Sequence, residues 1–294
     1  MKCIKVTPRG YCKGVVKAIN LAKQARLDYP NQKITILGML VHNQYVCEAL
    51  KELSIDTIED VNKTRLQLLD KVHEGVVLFT AHGVSEAVKE KAKNKGLICI
   101  DASCQDVIKT QNIVKEYLAK GYYIAYIGKN KHPEAEAVLS LSPKVMLIEN
   151  KEQIQKLKSP LFVTNQTTMS QSDVAELFRQ IKLVFPDASF CEEICQATAM
   201  RQNAIKQLPN VDALIVVGDA RSNNSNRLAQ IAKERGIQKV FLVDSFHDLK
   251  QKDFRQEDIV AVTAGASTPA YLVNQVIDWV EGRQPEAIDM SKII

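Results

Sequence analysis

Apolar and polar positions repeat three times along this chain in the same order. Each repeat opens with a cysteine and a stretch of helical periodicity, and continues with a short apolar run ending in glycine and a polar turn. The apolar runs are KITILG, YYIAYIG and ALIVVG, and the turns are LVHN, KNKHPE and DARSNNSN. A second apolar run then leads into another polar turn, in VVLFTAHGVS, PLFVTNQTTMS and VAVTAGASTP. Because self-similarity at a fixed period sets the architecture, the pattern predicts three copies of one folding unit.

The alternation of strand and helix signals predicts an α/β fold with mainly parallel sheets. We expect three α/β units, related by a pseudo-threefold axis, around one central site. We place the unit boundaries near residues 97 and 193, at LICIDASC and ASFCEEIC, where a strand leaving one unit delivers the cysteine that opens the next. This gives units 1–97, 98–193 and 194–294, the last with a C-terminal tail. Parallel sheets bind ligands at the carboxyl ends of their strands. The six polar turns are therefore expected to face one cavity.

Composition narrows the class of protein. Of the 294 residues, 46% are hydrophobic and 25% are charged, which is typical of a globular protein. The apolar runs are too short for a membrane span, and the start MKCIKVTPRGYC has no signal-peptide pattern, so we expect a cytoplasmic protein without a membrane partner. The net charge of +5 comes without a dense basic run, so no nucleic-acid partner is expected.

Three of the seven cysteines stand out by position. Cys12, Cys104 and Cys195 are 92 and 91 residues apart, and each directly precedes a predicted helix, where the helix dipole favours the thiolate that binds metals. The patterns around Cys3, Cys47 and Cys99 favour buried core positions, and Cys191 is ambiguous. One such cysteine alone is more often structural, but three at equivalent repeat positions favour a shared site.

Three thiolates are compatible with two kinds of metal site. They suit zinc with an added histidine, or a 4Fe–4S cluster in which one iron lacks a protein ligand. An iron without a protein ligand can accept a substrate oxygen, act as a Lewis acid and pass on electrons. Motifs for a P-loop, a dinucleotide fold, a nucleophile elbow and a CxxC site are all absent.

The polar turns supply hydrogen-bond donors and one carboxylate. Those after the first strands hold His42, His132, Glu134, Ser222 and Asn224, and those after the second strands hold His82, Thr167, Thr168 and Ser267. Donors just ahead of helices form a cradle for phosphate or diphosphate. Any single Ser, Thr or Asn here is more often a helix cap, although one side chain can do both. His73 and His247 lie outside the turns and are expected at the surface or satisfied.

Almost end to end, the chain resembles the LytB/IspH family of 4-hydroxy-3-methylbut-2-enyl diphosphate reductases. The motifs are PRGYCKGV, LVHNQYV, TAHGVS, DASCQDVIK, KHPEAEA, NQTTMS, ICQATAMRQ, SNNSNRL and GASTP, in the family's order. The resemblance implies one 4Fe–4S cluster per chain on Cys12, Cys104 and Cys195. It also implies proton delivery by Glu134 with Thr167, and substrate binding by His42, His82, His132, Thr168, Ser222, Asn223, Asn224 and Ser267.

The resemblance further implies reductive removal of an allylic hydroxyl, the last step of the non-mevalonate isoprenoid pathway. An electron donor such as ferredoxin or flavodoxin is then the expected protein partner. The chain departs from the family pattern at Ser103, Gln105, Lys131, Ala137 and Asn223, the last being nearest the expected diphosphate. A cluster-bearing sensor without catalysis and a zinc-dependent hydrolase are the alternatives. The sensor needs neither Glu134 nor the donor set.

Overall fold

Two compact units make up the protein in a computed structural model that describes residues 1–294. One unit comprises Met1–Val16, Val41–Glu52 and Gln196–Ile294, and we call it the terminal unit. The other comprises Lys17–Leu40 and Leu53–Cys195, and we call it the middle unit. Both are built from parallel strands and helices, as the alternating pattern predicts.

Twelve short strands form the sheets. In chain order they are β1 (Lys2–Lys5), β2 (Ile34–Leu37), β3 (Ile55–Ile58), β4 (Val76–Phe79), β5 (Ile98–Asp101), β6 (Tyr123–Ile127), β7 (Val145–Ile148), β8 (Leu161–Asn165), β9 (Ser189–Phe190), β10 (Ala213–Val217), β11 (Lys239–Val243) and β12 (Ile259–Ala264). All nine strand pairings are parallel. The prediction of an α/β fold with parallel sheets is confirmed.

Ten α-helices connect these strands. They are α1 (Lys13–Asp28), α2 (Gln44–Glu52), α3 (Arg65–Leu68), α4 (Glu86–Asn94), α5 (Gln105–Ala119), α6 (Pro133–Leu139), α7 (Gln171–Val184), α8 (Gln196–Lys206), α9 (Asn223–Glu234) and α10 (Ala270–Val280). Short 3-10 helices span Leu69–Lys71, Lys151–Lys156, Phe246–Asp248, Gln251–Asp253 and Met290–Lys292. None of the helices is both long and apolar enough to cross a membrane.

The three sheets share one strand order. The middle unit contains β3-β2-β4-β5 and β7-β6-β8-β9, and the terminal unit contains β11-β10-β12-β1. In each sheet the two apolar runs of one repeat form the central pair, and every residue of β2, β4 and β10 is buried. Buried strands of this kind read as continuous apolar runs because helices cover both faces of a parallel sheet.

The fourth strand of each sheet leads directly to a repeat cysteine. β5 precedes Cys104, β9 precedes Cys195, and β1 completes the third sheet and precedes Cys12. The N-terminal strand β1 thus pairs with the C-terminal strand β12, and β5 pairs with β4 of the first repeat. The division into units 1–97, 98–193 and 194–294 remains a proposal, and the sheets group these two strands differently from it.

Three other cysteines were expected to be buried in the core, and the structure shows them to be less buried than that. Cys3, Cys47 and Cys99 lie in β1, α2 and β5, as the pattern predicts, but all three are only half-buried. β1 and β5 are edge strands, so one flank of each has no neighbouring strand. His73 and His247 are exposed, as expected.

Candidate active site

All three repeat cysteines have the same backbone environment. In each repeat the cysteine N–H donates to the carbonyl of the second residue after the second apolar strand. The pairs are Cys12 with Ala266 (3.0 Å) in the terminal unit, and Cys104 with Ala81 (2.9 Å) and Cys195 with Thr167 (3.0 Å) in the middle unit. This bond brings each cysteine backbone against the polar turn that follows β12, β4 or β8. A contact repeated three times is a property of the folding unit rather than of one loop.

Helices begin directly after each of these cysteines, as predicted. α1, α5 and α8 start one residue later, and all three thiols are half-buried and outside any disulfide. The three thiols thus occupy equivalent positions at the N-terminal ends of three helices. The local structure therefore fits three metal ligands.

The other cysteines have a different local chemistry. Burial raises the pKa of Cys3 to about 11, and burial is also the main cause of the raised pKa of Cys99. The Cys191 thiol donates to Glu193 Oε1 at 3.2 Å, and burial followed by this contact raises its pKa. A raised pKa favours the neutral thiol, which is a poor metal ligand. For the ambiguous Cys191 this favours a structural position over a ligand position.

Glu134 is a buried carboxyl group in the middle unit with a complete set of partners. It lies in the first turn of α6 with 1% of its surface exposed. Its Oε1 accepts hydrogen bonds from the Thr167 backbone N–H at 2.8 Å and from the Tyr126 hydroxyl at 3.2 Å. Its Oε2 lies 3.0 Å from Thr167 Oγ1. The polar turn after β8 and the start of α6 thus meet at one carboxyl group.

The protonation of Glu134 follows from these surroundings. Burial raises its pKa from 4.5 to about 7, against the lowering effect of hydrogen bonds from Thr167 and Tyr126. Since Oε1 already accepts two hydrogen bonds, a proton on this group belongs on Oε2, facing the Thr167 hydroxyl. A carboxyl group with a pKa near neutrality suits a general acid, because it holds a proton and can still release it.

Two histidines lie beside this acid. The His132 ring caps α6 by accepting the Glu134 N–H on Nδ1 at 3.2 Å. The His82 ring meets the His132 ring edge to face, with centroids 5.4 Å apart. Thr168, also predicted at the site, is half-buried and accepts from Gln166 Nε2 at 3.0 Å. The structure therefore brings His82, His132, Glu134 and Thr167 together.

The remaining predicted donors lie in the terminal unit. Ser222 caps α9 by accepting the Ser225 N–H, which bears out the capping interpretation for this residue. Ser267 Oγ donates to the carbonyl of His42 at 2.9 Å, so the turns after β12 and β2 are joined. Asn223 is half-buried at the first position of α9. Ser222, Asn223, Ser267 and His42 are thus held on the carboxyl-end turns of this unit.

Asn224 has a buried side-chain amide whose polar atoms lack hydrogen-bond partners. It is 4% exposed, and neither its Oδ1 nor its Nδ2 has a hydrogen-bond partner. Buried amides are nearly always hydrogen-bonded, and an unmet one costs about 1–3 kcal/mol. Its position in the first turn of α9 suits an anionic ligand, which would accept a hydrogen bond from Nδ2.

Sequence reasoning missed two contributors to these surroundings. Tyr126 lies inside an apolar run and gave no polar signal, although its hydroxyl contacts Glu134. Asp219 is 3% exposed and pairs with Arg221, two residues away. Asp219 and Arg221 belong to the DARSNNSN turn, and an acid two residues before a base was the available signal.

Comparison with known proteins decides the family. A family model described as LytB protein matches residues 3–281. The 4-hydroxy-3-methylbut-2-enyl diphosphate reductase of Macrococcus caseolyticus is 46% identical over 97% of this chain and 90% of its own length. The chain belongs to the LytB family. The reductase of the same name from Geobacillus is also 46% identical, over 97% of this chain and 92% of its own.

Solved structures agree with this LytB assignment. The Plasmodium falciparum E-1-hydroxy-2-methyl-but-2-enyl-4-diphosphate reductase superimposes with a TM-score of 0.86 at 31% identity, covering 95% of this chain and 87% of that one. A second structure is of (E)-4-hydroxy-3-methyl-but-2-enyl diphosphate reductase, described as the terminal enzyme of the non-mevalonate pathway. It superimposes with a TM-score of 0.67 at 28% identity, covering 96% of this chain and all of that one. The LytB fold is therefore shared over nearly the whole length.

Proposed function

We infer that this LytB protein is a 4-hydroxy-3-methylbut-2-enyl diphosphate reductase. The reaction replaces the allylic hydroxyl group of the substrate by hydrogen, and gives isopentenyl and dimethylallyl diphosphate. It consumes two electrons and two protons, and the hydroxyl leaves as water. The inference draws on the names of relatives that match 97% of the chain at 46% identity. The single structural observation that carries it is the buried Glu134 carboxyl group with its pKa near 7.

The cofactor assigned to this chain is one 4Fe–4S cluster. The thiolates of Cys12, Cys104 and Cys195, which share a backbone environment and directly precede three helices, would hold it. This donor set fits the cluster, because thiolates are the usual ligands of iron–sulfur centres. When bound, the cluster supplies the electrons and a Lewis-acidic iron.

The proton path uses two side chains of the middle unit. Glu134 holds its proton on Oε2 and passes it to Thr167 Oγ1, 3.0 Å away. The Thr167 hydroxyl then donates its own hydrogen to the departing substrate oxygen. The backbone N–H of Thr167 and the Tyr126 hydroxyl stabilise the carboxylate that remains on Glu134. Two acceptor contacts already in place mean that little reorganisation accompanies the transfer.

The diphosphate is assigned to the eight donors that the family resemblance implies. In the terminal unit these are His42, Ser222, Asn223, Asn224 and Ser267, and in the middle unit they are His82, His132 and Thr168. The unmet amide of Asn224 supports this role, since an anionic oxygen would give its Nδ2 the missing acceptor. Binding energy from this remote group can orient the reacting carbon, which raises turnover rather than affinity alone.

Electrons must reach the cluster from outside the chain. A ferredoxin or flavodoxin is the class of protein we assign to this step, because each carries one electron at a time and the reaction needs two.

Glu134→Gln tests the proposal. Glutamine keeps the shape and accepts the Thr167 N–H, but it has no carboxyl proton. We expect normal iron content and diphosphate affinity, with turnover reduced by about 10²–10⁴. Turnover is measured anaerobically with a chemical reductant, beside iron content and substrate binding. The matched control is Glu136→Gln on the same helix. The half-buried Glu136 carboxylate accepts the Arg65 N–H, and its replacement should not affect turnover.

Two outcomes would contradict the proposal at different levels. Wild-type turnover in Glu134→Gln would show that Glu134 is not the general acid, and the assignment of the protein as a reductase would stand. A colourless, zinc-loaded protein without iron would instead overturn the reductase and favour a hydrolase. A brown iron–sulfur protein that binds no diphosphate would favour a sensor.

A further inference from the structure

Asp219 is a buried carboxylate that collects N–H groups from two separate segments. It follows β10 in the terminal unit. Its Oδ1 accepts the backbone N–H and the Nε–H of Arg221, both at 2.8 Å. Its Oδ2 accepts the backbone N–H of Gln44 at 3.1 Å and a hydrogen bond from Arg221 Nη2 at 2.5 Å. One buried side chain therefore ties the start of α2 to the turn before α9.

Arg221 makes the same connection from the other side. Its Nη2 also donates to the Gln44 side-chain Oε1 at 3.1 Å. The Ser222 N–H donates to the Asp219 carbonyl at 2.9 Å, which closes the turn directly before α9. Asp219 and Arg221 therefore both contact Gln44 at the start of α2 from the turn before α9.

Both segments carry residues assigned to the diphosphate. His42 lies two residues before Gln44, and Ser222 and Asn224 follow Arg221 at the start of α9. The Ser267 hydroxyl holds the His42 carbonyl as a second tie. A change in the Asp219 contacts would move the two donor segments relative to each other.

We propose that Asp219 and Arg221 are positioning residues for the diphosphate, acting through the segments that carry His42 and Ser222–Asn224. The inference rests on the proposed function. Arg221 also has an electrostatic role, because an unpaired buried carboxylate would repel an anionic ligand bound at these turns. The bidentate pairing with Arg221 offsets that charge.

The same sheet offers a matched pair far from these turns. Asp258 is 4% exposed and precedes β12, at the opposite end of the strands from Asp219. It accepts Lys239 Nζ at 2.7 Å and the Arg255 backbone N–H at 3.0 Å. It is therefore also a buried carboxylate that joins a cation and a backbone donor. Asp258→Asn should cost stability as Asp219→Asn does, without touching the diphosphate segments.

The experiment compares three variants of the full-length, cluster-loaded protein. In Asp219→Asn the new NH₂ group replaces an acceptor for the Gln44 or Arg221 donors, so the tie is broken with little change of shape. We expect the KM for substrate and the Kd for inorganic diphosphate to rise together about tenfold, since small misplacements of binding groups are costly. The kcat should stay within about twofold. Arg221→Gln should raise both constants in the same way, and Asp258→Asn should change neither.

Distinct outcomes separate the possible failures. If the wild-type protein binds inorganic diphosphate and Asp219→Asn and Arg221→Gln bind it equally well, the positioning role is overturned and the proposed function stands. If Asp258→Asn weakens binding as much as Asp219→Asn, the effect is one of general stability and the role is again overturned. If the wild-type protein neither binds diphosphate nor reduces the substrate, the proposed function itself fails. Arg221→Gln keeps Asp219 and its Gln44 contact, so it decides the case if Asp219→Asn does not fold.

Discussion

The raised pKa of Glu134 makes the stability of the protein depend on pH in a direction that can be measured. A glutamate with its usual pKa of 4.5 loses its proton in the unfolded chain above that pH, whereas buried Glu134 keeps its proton up to about pH 7. Between these values the folded state binds one more proton than the unfolded state. The free energy of unfolding therefore falls as the pH rises through this window.

The size of the effect follows from the shift. Each pKa unit corresponds to about 1.4 kcal/mol, so a shift from 4.5 to about 7 removes about 3 kcal/mol of stability by pH 8. Glu134→Gln has no proton to lose at this position, and its side chain can still accept the Thr167 N–H and donate to Thr167 Oγ1. Relative to wild type, the variant should thus gain about 3 kcal/mol between pH 4.5 and pH 8.

Denaturant unfolding of both proteins at several pH values measures this difference. Other titrating groups are common to the two proteins and cancel in the comparison. Glu176→Gln is a control of opposite sign, because hydrogen bonds from Arg179 and Gln180 lower the pKa of this exposed carboxylate to about 2. A stability difference between wild type and Glu134→Gln that is the same at pH 5 and pH 8 would refute the reasoning. Glu134 would then be ionised in the folded protein and unable to act as the acid.

Three further predictions concern ligands, donors and backbone. Serine in place of Cys12, Cys104 or Cys195 should remove most of the bound iron, because an alkoxide is a poor substitute for a thiolate. Serine in place of Cys3 should leave the iron content nearly intact. Absorbance and metal analysis measure the iron content of each variant. Asn224→Ala should raise the Kd for inorganic diphosphate about tenfold in calorimetry while leaving thermal stability equal or higher, since it removes an unmet buried amide. Lys131→Gly should stabilise the protein by about 0.5–1 kcal/mol in denaturant unfolding, because Lys131 has a left-handed φ of 61°.

The repeat in the sequence predicted most of the fold. Apolar runs marked the central strands of all three sheets, because a strand covered on both faces must be apolar throughout. The same pattern could not show that β1 completes the third sheet, since pairing between the two ends of a chain leaves no local signal. Cys3 and Cys99 are only half-buried because β1 (KCIK) and β5 (ICID) are edge strands, and the charged residues in both strands were the signal for that position.

At the candidate site, the sequence indicated residue types and the structure supplied their partners. Glu134 was singled out as the one carboxylate of the turn, but its raised pKa depends on full burial and on Thr167, 33 residues further along the chain. Likewise, Asp219 and Arg221 lie in the polar turn DARSNNSN, and the sequence pattern gave neither a role. Their bidentate contact and the Gln44 N–H became visible only when α2 and α9 were placed together in one unit. Long-range partners of this kind are set by packing, which a local pattern does not encode.

The three repeats share one fold, but their equivalent sequence positions differ in chemistry. Gln44, Glu134 and Asn224 occupy the same position of the repeat, each two residues after His42, His132 or Ser222. Gln44 is exposed, Asn224 is a buried amide, and Glu134 alone is a buried acid. The same position of the sequence repeat therefore holds three different side chains, and only Glu134 can carry a titrating proton. The helix starts differ as well, since Gln44 is the first residue of α2 whereas Glu134 and Asn224 are the second residues of α6 and α9. Among these three residues, Glu134 with its partner Thr167 is the one suited to proton transfer. The two other copies of this position remain available for the diphosphate and for the contacts that hold its donors.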